Sequence, residues 1–331
     1  MTLSSRFTLP GQVRAVAASG PSEPLTVTTY GANPLVTVIT RVDLSGRVAW
    51  QRTYPGAGRP QSRLSTKGTL WVAYPDGDGR VLEGVLPDGS TGSTAWELRP
   101  RRPWVPEETG VDHWEPLLVS ADRIAASFTD TRGGIGRTFF LDLDSGETVS
   151  VTPPAPTGRK AIAGPGQFLI GSQGYGAFTT GRFGRDGTET ARWASHGAML
   201  VDRNGNPSGP ELENSLPSRS RFRRLTPDNT LVDGPALTGY YTSDPAMDCE
   251  GTTVFWRDGK LLTVDKDLAG HELFAMDDSR AVIGRVLLLN EGRVAFSLDN
   301  EVLVFRTPLG PLAEGPWPCG GGNLRGNPLS S

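Results

Sequence analysis

The sequence predicts an all-β fold, a seven-bladed β-propeller built from four-stranded antiparallel blades, and three observations predict it. A turn motif recurs about every forty residues, short strand-like segments fill the intervals, and turn-forming residues are frequent. The chain has 42 glycines and 27 prolines among 331 residues, which suits many short strands joined by tight turns. Six or eight blades remain alternatives, because strand ends are poorly located from a single sequence.

The recurring turn carries a glycine, or once an asparagine, between two apolar segments. The marking residues are Gly46, Gly89, Gly146, Gly187, Asn229, Gly270 and Gly310. Successive intervals are 43, 57, 41, 42, 41 and 40 residues. The interval of 57 contains an insertion at 101–116, RRPWVPEETGVDHWEP, which accounts for its extra length. Asn229 fits the series, because asparagine tolerates the positive φ that such turns require.

The intervals contain strand-like segments such as TLWVAYP, RTFFLDL and EVLVF. These are short, rich in valine, threonine and aromatic residues, and bounded by turn formers. No segment has a sustained apolar stripe at helical spacing. About four such segments per forty residues are typical of a propeller blade.

The unit at 239–277 is the clearest of the series. Its segments TTVFWRDG and KLLTVDKD are predicted to pair through an Asp-Gly turn. HELFAMD then forms the outer strand, and YYTSD or PAMD the innermost one. The last unit repeats the scheme, with PLAEGPWP as its fourth segment.

One domain is predicted over 1–315, followed by a Gly/Pro-rich tail at 316–331 that should be partly ordered at best. A propeller ring must also join its ends, since an open ring leaves sheet edges unpaired. The segment SRFTLPG at 5–11 is a candidate outer strand for the last blade. The C-terminal tail is the alternative.

Charge and hydropathy narrow the functional class. The chain has 33 basic and 36 acidic residues, a net charge of −3, which gives no electrostatic case for a nucleic-acid or anionic-membrane partner. Neither a secretory signal nor a membrane-spanning apolar run is present, so we expect a cytoplasmic protein. Cys249 and Cys319 lie far apart in sequence, and free thiols are expected, with a disulfide as the alternative.

No catalytic residue, metal site or cofactor is predicted. The three histidines, His113, His196 and His271, and the two cysteines lack zinc-ligand spacing, and the acidic turns lack a full calcium-loop pattern. The alternative is a propeller hydrolase or lyase that uses acidic residues at the channel mouth. Its candidate carboxylates are Glu107, Glu108, Asp112, Glu115, Asp248 and Glu250.

Two segments favour protein binding instead. The insertion carries Trp104, His113 and Trp114, and long irregular segments on a rigid scaffold often carry function. Covering a blade is the alternative role for these tryptophans. The second segment, SRSRFRR, places Arg219, Arg221 and Arg223 on one face of a strand, where they form a basic patch suited to an acidic peptide or phosphate. A solvated strand face is the alternative there.

The motif DLSGRVAW, ending at Trp50, resembles the PQQ-like β-propeller repeat, in which a tryptophan follows an Asp-x-x-Gly turn. Trp96, Trp193 and Trp317 follow their turns at longer spacing, and Phe274 replaces the tryptophan once. An aromatic residue repeated in several blades indicates packing between sheets rather than a quinone platform, so no cofactor is expected.

The resemblance implies a bacterial, WD40-like propeller whose fold alone does not fix its activity. It is consistent with a non-enzymatic scaffold, adaptor or sensor that binds partners through a rim or the central opening. By the same analogy, those partners would be proteins of a multi-component, ATPase-linked bacterial system.

Overall fold

The computed structural model shows seven four-stranded antiparallel blades arranged in a ring, which confirms the predicted propeller. It describes residues 1–32, 35–55, 60–76, 79–93, 117–129, 135–174, 177–195, 200–213, 219–239, 242–276, 284–326 and 329–330. None of the described residues belongs to a helix long and apolar enough to cross a membrane.

The first four blades follow one another along the chain, each starting with its innermost strand. Blade 1 contains β2 (Gln12–Ala18), β3 (Leu25–Ala32), β4 (Leu35–Val42) and β5 (Val48–Pro55). Blade 2 contains β6 (Gln61–Leu64), β7 (Leu70–Asp76), β8 (Gly79–Val85) and β9 (Thr91–Ser93). Blade 3 contains β10 (Leu118–Ser120), β11 (Arg123–Thr129), β12 (Ile135–Asp142) and β13 (Thr148–Val151). Blade 4 contains β14 (Ala155–Gly164), β15 (Gln167–Gly174), β16 (Ala177–Phe183) and β17 (Glu189–Ala194).

The last three blades repeat this order until the ring closes. Blade 5 contains β18 (Leu200–Val201), β19 (Pro207–Glu213), β20 (Arg219–Leu225) and β21 (Leu231–Leu237). Blade 6 contains β22 (Ala246–Met247), β23 (Thr253–Arg257), β24 (Lys260–Val264) and β25 (Gly270–Ala275). Blade 7 contains β26 (Leu287–Leu289), a short 3₁₀ turn (Asn290–Gly292), β27 (Arg293–Leu298) and β28 (Glu301–Arg306). A short strand, β29 (Leu329–Ser330), pairs in parallel with β10.

The ring is closed by the N-terminal strand β1 (Thr2–Thr8), which is the outer strand of blade 7. It pairs antiparallel with β28 from Thr2 opposite Arg306 to Thr8 opposite Glu301. The N-terminal candidate for closure is therefore confirmed. The prediction that PLAEGPWP supplies the fourth strand is wrong, because 311–318 leaves the blade and enters the C-terminal tail.

Local hydrogen bonds hold the recurring turn. In the turn that begins at Asp43, the carboxylate Oδ1 accepts from the amides of Ser45 and Arg47, at 2.9 and 3.0 Å. The amide of Gly46 donates to the carbonyl oxygen of Asp43, and Gly46 has a φ of 93°. Serine and backbone hydrogen bonds hold the pKa of the Asp43 carboxyl below its usual range. The turns at Asp202, Asp248 and Asp265 repeat the carboxylate contacts.

Five of the seven predicted turn positions have the positive φ expected of them: Gly46, Gly89, Gly146, Gly187 and Asn229. Gly270 is a wrong assignment, because the left-handed residue of that turn is Leu268, with a φ of 65°. Gly310 is also wrong, because it follows β28 and does not join two strands of a blade. Its amide donates to Asp248 Oδ2 at 3.1 Å.

Neighbouring blades pack through the outer strand of one and the turn of the next. A Cβ added to Gly89 in blade 2 would lie 2.7 Å from Trp50 Cγ in blade 1. Phe7 on β1 covers Gly46 in the same way, and Ser150 on β13 covers Gly187. The interpretation of Trp50 as a packing residue is therefore confirmed.

Two other aromatic predictions also concern packing between blades. Phe274 on β25 packs against Phe305 of blade 7, with ring centroids 4.9 Å apart, and Trp193 is buried on β17. Trp317 does not occupy an outer strand, because it lies in the tail and packs into the core shared by blades 3, 4 and 5. Trp96 lies outside the described residues.

Candidate functional site

The C-terminal tail, residues 307–326, crosses one end of the central channel. Its backbone pairs with the innermost strands of several blades: Val201 donates to Trp317 O at 2.9 Å and Met247 to Pro318 O at 2.8 Å. On the far side of the channel, Ala18 of blade 1 donates to Leu324 O at 3.0 Å. Part of the predicted tail, residues 317–324, therefore makes backbone hydrogen bonds with the ring. We call this end of the ring the tail face and the other end the opposite face.

Arg285, which lies just before the innermost strand of blade 7, holds the tail against the ring by hydrogen bonds. Its guanidinium donates to the carbonyl oxygens of Gly320 at 2.9 Å, Asn323 at 2.5 Å and Leu324 at 2.6 Å, all in the tail. The same side chain donates to Val16 O of blade 1 at 2.8 Å. Burial lowers the pKa of the Arg285 guanidinium, with Cys319 and Asp244 opposing the effect. Four carbonyl acceptors offset much of the cost of burying this charge.

The glycine-rich sequence of the tail follows from this contact. A Cβ added to Gly320 would lie 2.4 Å from the Cβ of Asp244 and 3.0 Å from that of Arg285. At Gly321 and Gly326, an added Cβ would meet the guanidinium nitrogens of Arg285 at 3.2 Å. The GGGN segment therefore lets the backbone close around a buried arginine.

Two further basic residues, Arg63 and Arg159, lie on innermost strands of the ring. Arg159 on β14 forms an ion pair with Asp244, which precedes β22 two blades away. Arg63 on the innermost strand of blade 2 is exposed to solvent, yet desolvation by the surrounding protein lowers the pKa of its guanidinium.

The predicted site in the insertion cannot be located, because Trp104, His113 and Trp114 lie outside the described residues. Its two ends are described: the segment connects β9, which ends at Ser93, with β10, which begins at Leu118. Because neighbouring strands of a blade are antiparallel, the end of an outer strand and the start of the next innermost strand lie at the same end of the ring. For β9 and β10, this end is the opposite face. Leu117, next to the segment, is 55% exposed.

The predicted basic patch lies on β20, where Arg219, Arg221 and Arg223 occupy alternate positions. Arg221 Nη1 is 3.1 Å from Asp233 Oδ2 of the neighbouring strand, and Arg223 Nε is 2.8 Å from Oδ1 of the same carboxylate. Both arginine side chains are half-buried. Asp233 thus neutralises part of the positive charge.

Two of the six carboxylates considered for an enzyme are described. Asp248 is buried, its Oδ1 accepts from Glu250 and Thr252, and its Oδ2 accepts from Gly310. Glu250 is exposed in the same turn on the tail face. Among the described residues, no group of three or more His, Cys, Asp or Glu side chains could hold a metal ion. Glu107, Glu108, Asp112 and Glu115 lie outside the described residues, as do His113 and His196.

Sequence reasoning missed the channel residues Arg63, Arg159 and Arg285. Each lies on or just before an innermost strand. The strands next to Arg63 and Arg285, β6 and β26, have 4 and 3 residues, which is too short to show a pattern. One signal was available: Arg285 follows a glycine and precedes the apolar segment VLLL, where a charged residue needs an internal partner.

Comparison with known proteins supports the fold. No protein-family model and no curated protein matches the chain. Among solved structures, it is similar to the Dos1 propeller, with a TM-score of 0.59 and 10% identity over 94% of this chain and 97% of that one. The Pan2 WD40 domain of Neurospora crassa aligns with a TM-score of 0.57 and 13% identity, over 95% and 97% of the two chains. Virginiamycin B lyase from Staphylococcus aureus aligns with a TM-score of 0.52 and 11% identity, over 90% and 97%.

These neighbours include a WD40 domain and a lyase. At 10–13% identity, they support the β-propeller fold and leave activity to be argued from the residues of this chain.

Proposed function

We propose that the protein is a non-enzymatic interaction scaffold that binds partner proteins through the opposite face of the ring. One observation carries this proposal: the C-terminal tail crosses the tail face, whereas the longest connection between two strands, 94–117, begins and ends at the opposite face. A rigid ring that presents a long connection on one face is a common arrangement for recognition.

The charge of the channel suggests the chemistry of the partner. Arg63 and Arg159 lie on the innermost strands of blades 2 and 4, next to the channel, and Asp244 pairs with Arg159. An acidic segment of a partner protein would be attracted into an opening lined in this way. Arg219, Arg221 and Arg223 remain a second proposed contact, provided that the partner competes with Asp233 for the two paired side chains.

The resemblance to PQQ-like bacterial propellers extends the proposal to its setting. On this basis we place the protein in the cytoplasm, as an adaptor or sensor in a multi-component system linked to an ATPase. That part of the proposal rests on the repeat pattern, and the identity of co-purifying proteins tests it directly.

The test is affinity capture from a native lysate followed by mass spectrometry. We expect the unmodified protein to enrich one or more partners, and a Trp104→Ala, Trp114→Ala double variant to lose them. Trp71→Ala is the matched control, because Trp71 is 38% exposed on β7, within blade 2 rather than in a connecting segment. Enrichment that survives in the double variant, or is lost equally in the control, would contradict the assigned surface.

A second arm tests the channel. Arg63→Glu and Arg159→Glu reverse two charges that line it, so we expect weaker capture of an acidic partner at low ionic strength. If capture is unchanged in both variants, the partner does not use the channel.

A further inference from the structure

A cleft of about 760 Å³ opens on the tail face, between the tail and blades 4 and 5. One wall is the tail itself, with Leu312, Pro316 and Pro318. The other wall contains Ile162 and Ala163 at the end of β14, together with the turn that joins β18 to β19. The volume falls within the range of small-molecule sites, and the walls supply the apolar surface that such sites use.

The charged side chains of this cleft are mostly basic. Arg182, Arg203 and Arg325 line it, and Glu314 is the one acidic residue among its lining residues. This local excess of positive charge contrasts with the net charge of −3 for the whole chain. Within the described part of the chain, the side chains of Arg203 and Arg325 make no ion pair. Two guanidinium groups therefore remain available to a ligand.

Arg182 is held in place by the protein. It lies on β16, and its Nη2 donates to Gly205 O in the turn of blade 5 at 2.5 Å. Its Nε is buried and has no hydrogen-bond acceptor among the described residues. Burial lowers the pKa of this guanidinium, and Asp202 opposes the effect. A fixed guanidinium loses little conformational entropy when it binds an anion.

We propose that this cleft is a binding site for a small organic anion, one with a carboxylate or phosphate group on an apolar body. Arg182, Arg203 and Arg325 hold the anionic group, since guanidinium matches the geometry of both carboxylate and phosphate. Ile162, Pro316 and Pro318 contact the apolar body. Because the tail forms one wall, the ligand also strengthens the attachment of the tail to the ring.

Isothermal titration calorimetry of the full chain with phenyl phosphate and with phenylacetate tests the proposal. We expect saturable binding of at least one of them with a dissociation constant of about 1 mM or tighter. The two probes distinguish a phosphate site from a carboxylate site. Benzyl alcohol, which lacks the charge, and inorganic phosphate, which lacks the apolar body, should each bind at least about tenfold more weakly.

The variant that tests the assignment is Arg203→Glu with Arg325→Glu. Since these side chains make no ion pair in the described structure, folding should survive, and a melting curve confirms this. We expect affinity to fall at least about tenfold, while Arg47→Glu, an exposed turn arginine of blade 1, leaves it unchanged. Should the double variant melt early, Arg203→Gln with Arg325→Gln replaces it.

Three outcomes would overturn the proposal. Neither aromatic anion shows saturable binding, the double variant binds as well as the unmodified protein, or inorganic phosphate binds as tightly as phenyl phosphate. The third outcome would mean that the apolar walls make no contact with the ligand.

Discussion

The indole Nε1 of Trp50 donates a hydrogen bond of 2.9 Å to the carbonyl oxygen of Pro87 in the next blade. The same ring covers Gly89, where an added Cβ would lie 2.7 Å from Trp50 Cγ. One aromatic residue therefore satisfies a turn carbonyl and fills the space between two sheets. This contact makes the turn of blade 2 sensitive to its neighbour as well as to its own backbone conformation.

Gly89→Ala should destabilise the protein more than Gly146→Ala. Both glycines have positive φ, 89° and 72°, so both variants carry a backbone cost of about 1 kcal/mol. Only Gly89 faces a neighbouring side chain, the indole of Trp50, since nothing lies within 4 Å of an added Cβ at Gly146. We expect losses of about 3 kcal/mol and about 1 kcal/mol, respectively. Denaturant unfolding measures both, and equal losses would show that the Trp50 contact adapts without cost.

Replacement of Arg285 should detach the tail. Arg285→Met removes the donor to four backbone carbonyls and should cost at least about 3 kcal/mol. Hydrogen exchange followed by mass spectrometry should then show faster exchange at the amides of 320–326. Arg325→Met is the matched control in the same segment, because no ion pair holds that side chain in the described structure. Unchanged exchange in the Arg285 variant would mean that other tail contacts suffice.

The two thiols should differ sharply in reactivity. Cys249 is exposed, whereas Cys319 is buried in the tail, and burial raises the pKa of the Cys319 thiol to about 11. The thiolate is the reactive form, so at pH 8 iodoacetamide should modify Cys249 first and Cys319 only after unfolding. Peptide mass spectrometry follows both sites. In the Arg285→Met variant, faster modification of Cys319 would provide an independent measure of tail release. Equal modification rates of Cys249 and Cys319 in the native protein would contradict the burial of Cys319 in the tail.

Lys160 should make stability depend on pH. Burial lowers the pKa of its ammonium group from 10.5 to about 7, so the folded state favours the neutral amine. Stability is therefore lost as pH falls from the unfolded value toward the folded one. We expect Lys160→Met to gain most over the unmodified protein at pH 7, with the difference in melting temperature shrinking toward pH 10. Lys67→Met, at an exposed turn position, should show no such trend. If the melting temperatures of the two variants respond to pH in parallel, Lys160 is not the cause of the pH dependence.

The blades could be predicted because the residues that form each turn lie close together in sequence. Each turn is closed by hydrogen bonds within four or five residues of sequence, as at Asp43, so spacing alone reveals the repeat. The Asp258–Gly259 turn between β23 and β24 followed from a dipeptide, and both residues have positive φ. The closing strand was a candidate because a propeller ring must join its ends.

The tail and the channel were not predictable for the opposite reason. Leu268 adopts a backbone conformation that favours glycine. The glycine pattern therefore assigned the turn to Gly270, two residues later. The sequence TPLGP resembles the other turns. The amide of Gly310, however, donates a hydrogen bond to Asp248, which is distant in sequence, and does not close a hairpin. The carbonyl acceptors of Arg285 are 35 to 39 residues away in the tail and 269 away in blade 1. Such contacts leave no periodic trace in a single sequence.

The pairing of β1 with β28 sets an order of events during synthesis. Arg6 and Glu301 form a two-pronged ion pair although 295 residues separate them in sequence. A ribosome must therefore translate nearly the whole ring before the first strand can find its neighbour. Until then, β1 stays without its final partner and the edge of blade 1 has no seventh blade beside it. A nascent chain of this kind depends on the late arrival of β28, and premature termination before that strand leaves a row of blades that cannot close.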